Sequence, residues 1–527
     1  MTSPAHNLRL SPADLRLDVP VGTRLQDVLF AQGVEFPCGG RGRCKGCRVK
    51  VLRGDLNVTA EEKNLLTSAE LDAGWRLACR HSLTGDLELE LAQWEMSVLS
   101  DESKFAFQPR AGLGVAIDLG TTTIAAQLLD LRTGNVLGVR TALNAQARHG
   151  GDIMSRVEFA MHGGQAEIQR LVREQLGQMV MELLDASASK SCSSRGNEAH
   201  SEKKLELTHG GCYEELKRVV IVGNTVMHHL FCGVNIAPLS AYPFEPTQPG
   251  RVRLSPRELG WDLPDEAGVE FLPCLGGFVG SDILAGIVAT GLHESCGLMA
   301  LMDLGTNGEV VVGNRDRMLC TSTAAGPAFE GARIWMGMRA ATGAISAVQV
   351  EGNSLACRVI GGGEPRGLCG SGLVDAVAAG LQLEWIQPSG RMKNLTEMAL
   401  AGPVKLSATD VRELQLAKGA IAAGLRMLTA RLGAALEDIE QLHLAGAFGN
   451  YISRTSAQRI GLLRVPLNRV VPAGNTALLG AKRALFEETA PWDALAKRVA
   501  HVSLNEDPNF QDIYAEEMGF PGLGVAS

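Results

Sequence analysis

Four cysteines near the N-terminus have a spacing suited to a metal centre. Three lie in the glycine-rich stretch FPCGGRGRCKGC, where Cys38, Cys44 and Cys47 give the pattern C-x5-C-x2-C, and Cys79 follows in WRLACRHS. An iron–sulfur cluster needs thiolates that converge without strain, as three cysteines from one loop and a fourth from elsewhere can do. Zinc is the alternative, but structural zinc sites usually show two C-x2-C pairs, whereas this segment has one. The pattern therefore favours a 2Fe–2S cluster.

The elements around these cysteines form one small domain. Two short alternating strands, a helix over RLQDVLFAQG, a strand over CRVKVLRG, a helix over TAEEKNLLTSAEL with Thr59 as its cap, and a last strand DLELELA predict a small mixed sheet over residues 1–96. This segment resembles ferredoxins of the plant and vertebrate 2Fe–2S type, which have the β-grasp fold. The resemblance implies that the ligands are Cys38, Cys44, Cys47 and Cys79, and that the domain carries one electron at low potential, near about −400 mV.

Basic residues surround the predicted cluster loop. Arg41, Arg43 and Lys45 lie within it. They are candidates for contacting an acidic electron donor or acceptor. The alternative is that they are solvated and merely offset the charge of the cluster.

Two similar segments further along the chain carry residues that suit phosphate binding. GVAIDLGTTTIAAQLLD begins at Gly114 and LMALMDLGTNGEVVVGN begins at Leu298; each has an apolar strand, then Asp-Leu-Gly-Thr, then a second strand. A tight glycine turn exposes backbone N–H groups to phosphate, and the preceding Asp118 or Asp303 can bind hydrated Mg²⁺. The repetition predicts two copies of one α/β unit with a nucleotide between them.

A third segment, LHLAGAFGNYI from Leu442 to Ile452, predicts a strand that runs into a turn of small residues, where the backbone can approach a base or ribose. Together the three segments resemble the superfamily of acetate and sugar kinases, heat-shock chaperones and actin, whose two RNase-H-like domains clamp ATP. The resemblance implies Asp118 and Asp303 as the carboxylates that hold Mg²⁺ and orient water. It also implies three nucleotide-binding loops: Gly120, Thr121, Thr122 and Thr123; Gly305, Thr306 and Asn307; and Gly446, Ala447 and Gly449.

Length and composition agree with a multidomain globular protein. The chain has 527 residues, 45% hydrophobic and 20% charged, with a net charge of −8, which argues against wholesale nucleic-acid binding. We predict a linker over residues 97–112, a first ATPase half over 113–300 with a mobile insertion at 187–212, and a second half over 301–527. No secretory signal is visible, and twelve cysteines without one point to a reducing compartment, so we expect a cytoplasmic protein. The apolar stretch Phe271–Leu292 contains Pro273 and Asp282, which favours a buried helix over a membrane span.

Further segments narrow the resemblance: NAQARHGGDIMSR, GNTVMHHLFCG, TAAGPAFEGARI and LCGSGLVDAV. Together with an N-terminal ferredoxin, these segments are very similar to the reductive activators of corrinoid proteins. Those activators use ATP to help restore methyltransferase corrinoids whose cobalt has been oxidised. The resemblance implies one-electron reduction of Co(II) to Co(I), a corrinoid protein as partner, an unidentified low-potential electron donor and a homodimer. Two alternatives remain: activation of another low-potential enzyme, and a redox-regulated kinase acting on a small molecule.

Other residues are weaker candidates. His228 and His229 could approach a corrinoid, but a histidine pair in an apolar helical segment is more often packed. Cys369 lies in a glycine-rich turn that could approach nucleotide, but a cysteine in such a position is more often a small buried thiol. Glu309 and Glu330 could assist at the phosphate site, and they rank below the two aspartates.

Overall fold

The computed structural model describes residues 5–11, 15–30, 32, 34, 36, 40, 42, 45, 47–91, 105–194, 215–305, 307–331, 333–488 and 490–522, without the side chains of 189–194, 447 and 450. The chain forms two compact units. The first comprises Met1–Ser97, Ala145–Phe159 and Pro327–Leu414, and the second comprises Val98–Asn144, Ala160–Gly326 and Gln415–Ser527. The domain boundaries predicted from the sequence remain predictions.

The N-terminal segment forms a five-stranded mixed sheet in the order β2-β1-β5-β3-β4. Only the β1–β5 pair is parallel. Alternate leucines, among them Leu8, Leu10, Leu87 and Leu89, are buried because successive side chains of a strand point to opposite faces. The elements are β1 Ala5–Ser11, β2 Leu15–Pro20, α1 Leu25–Phe30, β3 Arg48–Arg53, α2 Ala60–Leu65, α3 Ser68–Asp72, β4 Trp75–Leu77 and β5 Leu87–Leu91.

The helix predicted over TAEEKNLLTSAEL is two helices. Thr59 caps α2 as predicted, through a capping box with Glu62. The backbone is extended at Leu66 and Thr67, and Thr67 forms a second capping box with Glu70, which starts α3. A Thr followed three residues later by Glu is a signal for the start of a helix. Here the signal at Thr67 divides the single predicted helix into α2 and α3.

The second sheet has six strands in the order β10-β11-β9-β6-β7-β8. Its central β6 pairs antiparallel with β7 and parallel with β9. The predicted insertion overlaps the end of α5, and residues 195–214 lie outside the described part of the chain. The elements are β6 Leu113–Leu119, β7 Thr123–Asp130, β8 Val136–Leu143, α4 Ile153–Phe159, α5 Gln165–Ser194, β9 Leu216–Val222, α6 Thr225–Cys232, β10 Val252–Leu254, α7 Pro256–Leu259, β11 Gly268–Phe271 and α8 Ser281–Thr290.

The third sheet begins with three strands and is completed after an intervening segment that belongs to the first unit. The opening strands are β12 Met299–Leu304, β13 Gly308–Gly313 and β14 Met318–Thr323. The intervening elements are β15 Ala344–Glu351, β16 Ser354–Val359, β17 Gly367–Leu368, α9 Gly370–Gln382, β18 Glu397–Ala401 and β19 Val404–Ser407, followed by α10 Ala408–Arg431. The remaining elements are β20 Gln441–Ala445, α11 Gly446–Tyr451, α12 Arg454–Arg459, β21 Val470–Gly474, α13 Thr476–Phe486, α14 Ala490–Arg498, β22 Val499–His501 and α15 Phe510–Met518.

The second and third sheets repeat one topology. The order β11-β9-β6-β7-β8 corresponds to β21-β20-β12-β13-β14, with the same parallel and antiparallel pairings at each step. This confirms the predicted duplication. Helices α8 and α13 pack against each other and contact strands of both sheets, so that one apolar core includes Val220, Leu284, Leu301 and Leu478.

The apolar stretch ending at Leu292 forms the buried helix α8 after a loop, as predicted. Across the described ranges, no helix combines the length and the hydrophobicity that crossing a membrane requires. At the start of the second unit, Phe105 and Phe107 pack against Phe486, with ring centroids 5.6 and 4.5 Å away. The described end of the predicted linker is therefore packed rather than extended.

Candidate functional site

The first hairpin places Asp118 at the end of β6, directly before the turn. Asp118 is opposite Ala125 in the antiparallel register, and Thr123 begins β7. The buried residue Asn144 forms two hydrogen bonds to the intervening turn. Its backbone N–H donates to the Thr122 carbonyl (2.8 Å) and its side-chain amide donates to the Gly120 carbonyl (2.9 Å). These bonds tie the turn to the segment that follows β8.

A second asparagine orders the same turn. Asn224 caps α6, because its Oδ1 accepts from the Met227 N–H at 3.0 Å, and its Nδ2 donates to Thr121 Oγ1 at 2.8 Å. The position of the Thr121 hydroxyl is thus coupled to the start of a buried helix.

The second hairpin repeats this arrangement. Asp303 is opposite Glu309 between β12 and β13, and the Gly305 N–H donates to the Asn307 carbonyl at 3.1 Å across the turn. Thr306 lies outside the described residues. Glu309 is buried and accepts a hydrogen bond from Ser322 Oγ at 3.2 Å.

The third loop meets the second hairpin. Strand β20 pairs parallel with β12, which sets Asp303 beside Ala445, and α11 begins at Gly446. Gly446 has φ +83°, and a Cβ there would lie 2.6 Å from Asp303 Oδ1. Only glycine fits this position without strain. Gly449 lies within α11, and the side chain of Ala447 is outside the described part.

The two repeats bring their aspartates close enough to interact. Burial and then the charge of Asp118 raise the pKa of Asp303 to about 7. Burial also raises the pKa of Asp118 to about 6, against the opposing hydrogen bond from Asn475 Nδ2 to Asp118 Oδ2 (3.0 Å). Asn475 caps α13 through its Oδ1 (2.8 Å to the Leu478 N–H). Burial and the neighbouring negative charge disfavour the ionised form of each carboxyl group, and a bound cation would favour it. The pair therefore suits a cation site.

Sequence reasoning missed Asp282. It lies in the first turn of α8, where its Oδ1 accepts from the Ile283 N–H at 2.8 Å. Burial, then Asp303, raise its pKa to about 8, and Asp118 adds to the shift. Glu309 belongs to the same group, since burial, Asp282 and Asp303 raise its pKa well above the usual range. The sequence signal that could have identified Asp282 was its position after Gly-Ser at the start of a helix. The same pattern is common at helix starts that have no catalytic role.

The donor set suits hydrated Mg²⁺ rather than a directly ligated ion. Mg²⁺ prefers oxygen ligands and usually keeps several waters while contacting one or two carboxylates and substrate phosphates. Nowhere in the described part of the chain do three His, Cys, Asp or Glu side chains converge tightly enough to hold a metal by themselves.

Two of the four predicted cluster ligands are described. Cys47 directly precedes β3 and Cys79 follows β4; both are buried, and the Ala78 N–H donates to the Cys47 carbonyl at 3.1 Å. The pairing of β3 with β4 therefore brings the two cysteine backbones side by side. Cys38 and Cys44 lie outside the described residues. Two buried cysteines with neighbouring backbones beside a glycine-rich loop fit a thiolate-held cluster.

The basic surroundings of the loop are partly neutralised within the protein. Lys45 Nζ lies 3.0 Å from Glu70 Oε2, and Arg48 pairs with the other oxygen of Glu70 at 3.1 Å. Arg41 and Arg43 lie outside the described residues.

Of the weaker candidates, Glu309 belongs to the group of carboxyl residues described above, and the others do not. His228 and His229 are buried in α6, and His228 lies edge-on to Phe271 with centroids 4.9 Å apart. Cys369 is a buried thiol near the Ile345 carbonyl at 3.4 Å, and it belongs with Glu330 to the first unit rather than to the unit of the hairpins.

Three family models match the chain. They are described as "2Fe-2S iron-sulfur cluster binding domain" over residues 8–84, "RACo middle region" over 113–193 and 201–295, and "C-terminal domain of RACo the ASKHA domain" over 297–526. Together they follow the order of domains predicted from the sequence.

Individual proteins are also similar. The "Corrinoid activation enzyme RamQ" of Eubacterium limosum is 34% identical, over 76% of this chain and 69% of that protein. The "[Co(II) methylated amine-specific corrinoid protein] reductase" of Methanosarcina barkeri is 26% identical, over 78% of each chain. A solved structure, "Reductive activator for corrinoid,iron-sulfur protein", superposes with a TM-score of 0.65 at 25% identity and covers 98% of both chains.

Proposed function

The chain belongs to the family of reductive activators of corrinoid proteins, and from this premise we propose that it returns an inactive Co(II) corrinoid protein of a methyltransferase system to Co(I) in an ATP-dependent step. One electron passes to the cobalt of the substrate protein. A low-potential donor, so far unidentified, then restores the electron to this chain.

The observation that carries the proposal is the combination of two kinds of site in one chain. A small mixed sheet presents buried Cys47 and Cys79. Two sheets that share a five-strand topology present Asp118 and Asp303 from equivalent hairpins. A protein that only carries electrons does not need the paired aspartate hairpins, and a kinase does not need the buried cysteine site.

The nucleotide is proposed to bind at the two hairpins. Backbone N–H groups of the turn at Gly120, Thr121 and Thr122, together with Thr123, contact phosphate oxygens. The second turn, formed by Gly305, Thr306 and Asn307, also binds phosphate. Gly446, Ala447 and Gly449 line the adenosine side. Asp118 and Asp303 hold hydrated Mg²⁺ and the attacking water, since phosphoryl transfer is catalysed mainly by positioning and charge stabilisation.

Asp282 adds a proton-accepting group to this site. It is buried in the first turn of α8 and interacts with the charges of Asp303 and Asp118. Because it belongs to the same group of carboxyls, we assign it to orienting the water that attacks the terminal phosphate.

The cluster is proposed to be held by Cys38, Cys44, Cys47 and Cys79. When bound, a 2Fe–2S cluster supplies electrons one at a time at low potential. The residues of this chain bury it, orient the thiolates through the β3–β4 pair and set the charge around it.

Coupling to ATP answers a thermodynamic need. For a one-electron step, each 59 mV of unfavourable potential costs about tenfold, or roughly 1.4 kcal/mol. A shortfall of one or two hundred millivolts is therefore only a few kcal/mol. We propose that the ATP-bound chain docks the Co(II) protein and helps to remove an axial cobalt ligand, which makes Co(I) easier to reach, and that hydrolysis resets the complex.

The proposal also includes an oligomeric state and a cellular location. A homodimer is proposed from the pairing common in the wider superfamily. The cytoplasm is proposed as the location because reduced thiols and ATP are both available there.

Variants that separate the two sites test the proposal. In an optical assay of Co(I) formation with the cognate corrinoid protein, Asp303→Asn should lose ATP stimulation while it keeps a normal cluster spectrum. Cys47→Ser should lose cobalt reduction while ATP still raises its melting temperature. The two-site account is wrong if Asp303→Asn responds to ATP like the wild type, or if Cys47→Ser still reduces cobalt.

A further inference from the structure

Arg80 directly follows the predicted ligand Cys79 and reaches back across the cluster loop. Its Nη2 donates to the Gly40 carbonyl at 2.7 Å, and its Nη1 forms an ion pair with Glu61 Oε1 at 3.0 Å. Gly40 lies between Cys38 and Cys44 in the sequence, so one side chain joins the segments that supply the ligands.

A further donor of this guanidinium, the Nε–H, is buried without an acceptor among the described residues. Arg80 Nε has no hydrogen-bond partner among the described residues and is shielded from solvent. The loop passes directly over it: Gly42 has φ +68°, and a Cβ there would lie 3.0 Å from Nε. A buried N–H without an acceptor costs free energy, so its presence beside a glycine loop indicates an acceptor in the complete domain.

The guanidinium remains a cation in this setting. An arginine guanidinium keeps its positive charge throughout the pH range in which proteins are folded. Its neighbours differ, because Lys45 and Arg48 both pair with Glu70 and point their charge there. Arg80, in contrast, directly follows the predicted ligand Cys79 and keeps one buried N–H that no described residue accepts.

We propose that Arg80 is a positioning and charge-compensating residue of the iron–sulfur site. It fixes the loop through Gly40, directs its Nε–H to a sulfur of the bound cluster, and stabilises the negative charge gained on one-electron reduction. The electron comes from the reductant, the total charge of the cluster and its four thiolates becomes more negative by one, and no bond is broken. Arg80 thereby raises the reduction potential.

The test is a redox titration of the full-length, cluster-loaded protein with dithionite and mediators, read by visible absorption and electron paramagnetic resonance. Arg80→Gln should lower the equilibrium constant for one-electron reduction about tenfold, which corresponds to 59 mV. Arg80→Lys, which keeps the charge, should stay near the wild type. Arg9→Gln is the matched control, because Arg9 lies on β1 and pairs with Glu88 at 3.7 Å.

An unchanged potential in Arg80→Gln overturns the proposal, and so does an equal shift in Arg80→Lys and Arg80→Gln. Arg80→Gln leaves the Glu61 carboxylate without its ion-pair partner. If Arg80→Gln for this reason does not hold the cluster, the single variant Glu61→Gln is compared with the double variant Glu61→Gln/Arg80→Gln, in which neither charge of the pair is present. The double variant should then have the lower potential, and equal potentials overturn the proposal. The inference rests only on the cluster part of the proposed function. Since no corrinoid or ATP is present in the titration, its failure leaves ATP-dependent activation untouched.

Discussion

Asp282 lies in the first turn of α8, where it accepts a hydrogen bond from Ile283 and interacts with the charges of Asp303 and Asp118. Replacing it with asparagine preserves size and removes the base. We expect Asp282→Asn to lower ATP hydrolysis about a hundredfold, within the range typical of general acid–base groups. ATP should still raise the melting temperature. Phosphate release measured in steady state checks the rate.

Asp265→Asn is the control, because Asp265 is an exposed residue in the turn before β11. A hydrolysis rate in Asp282→Asn equal to that of this control would remove Asp282 from the mechanism.

Single residues could be predicted from the sequence where a local motif carries the chemistry. Asp118 and Asp303 could be proposed because each ends an apolar strand and precedes a glycine turn. Asn475 is 357 residues from its partner Asp118, and Asn224 is 103 residues from Thr121. Contacts between such distant positions depend on the fold, so a helix-capping Asn in the sequence indicates a cap but not a site residue.

Helix α2 is tied to the segment that carries Cys79 by the side chain of Glu62. Glu62 is fully buried and accepts from the Thr59 N–H (2.8 Å), the Leu77 N–H (2.6 Å) and His81 Nε2 (2.8 Å). Burial alone would raise its pKa, but the hydrogen bonds from His81, Thr59 and Leu77 lower it to about 2. It is therefore an ionised acceptor serving three donors.

Glu62→Gln should destabilise the N-terminal domain by about 1–3 kcal/mol, because its amide group faces donors. Urea unfolding and the retained iron per chain measure the effect. Glu88→Gln is the control, since Glu88 pairs with the partly exposed Arg9. If both variants unfold at the wild-type urea concentration, Glu62 does not join these elements.

Helix α10 carries a buried lysine beneath the C-terminal segment. Lys418 Nζ donates to the Gly519 carbonyl and lies 5.5 Å from the centre of the Phe520 ring. Burial lowers its pKa to about 8; the charge of Glu517 opposes this shift and that of Arg464 adds to it.

The pH dependence of stability follows from this shift. Between about pH 8 and pH 10.5 the unfolded chain binds the Lys418 proton and the folded chain does not, so the group favours folding more as pH rises. Relative to Lys418→Met, the wild type should gain roughly 1–3 kcal/mol of unfolding free energy over that interval. Urea midpoints at pH 7.5, 8.5 and 9.5 measure this gain. Lys405→Met, at an exposed pair with Glu397, should show no such trend, and a pH-independent difference for Lys418→Met would contradict the explanation.

At the scale of elements, the strands were more predictable than the ends of the helices. The β6–β7 and β12–β13 hairpins have alternating or wholly apolar strands around a glycine turn, and both form as predicted. The split between α2 and α3 was missed because the residues around Thr67 keep a helical hydrophobic pattern, while the capping interaction of Glu70 decides the break.

At the scale of the whole molecule, the order of a ferredoxin-like domain and a duplicated ATPase could be predicted because each part has its own short motifs. The assignment of residues to units could not. Pro327–Leu414 interrupts the third sheet yet belongs to the same compact unit as Met1–Ser97. Within that unit Arg366 Nη2 pairs with Glu90 Oε1 at 2.7 Å, and Arg148 lies 5.0 Å from the Phe30 ring centre. Neither pair has a local sequence signal.

The central claim is that ATP makes Co(I) accessible to an electron that this chain carries. The most direct measurement mixes the reduced protein with its Co(II) corrinoid partner and follows the Co(I) absorption with ATP and Mg²⁺, and without ATP. The account predicts that ATP increases both the rate and the final amount of Co(I). The same rate and amount of Co(I) without ATP would contradict it.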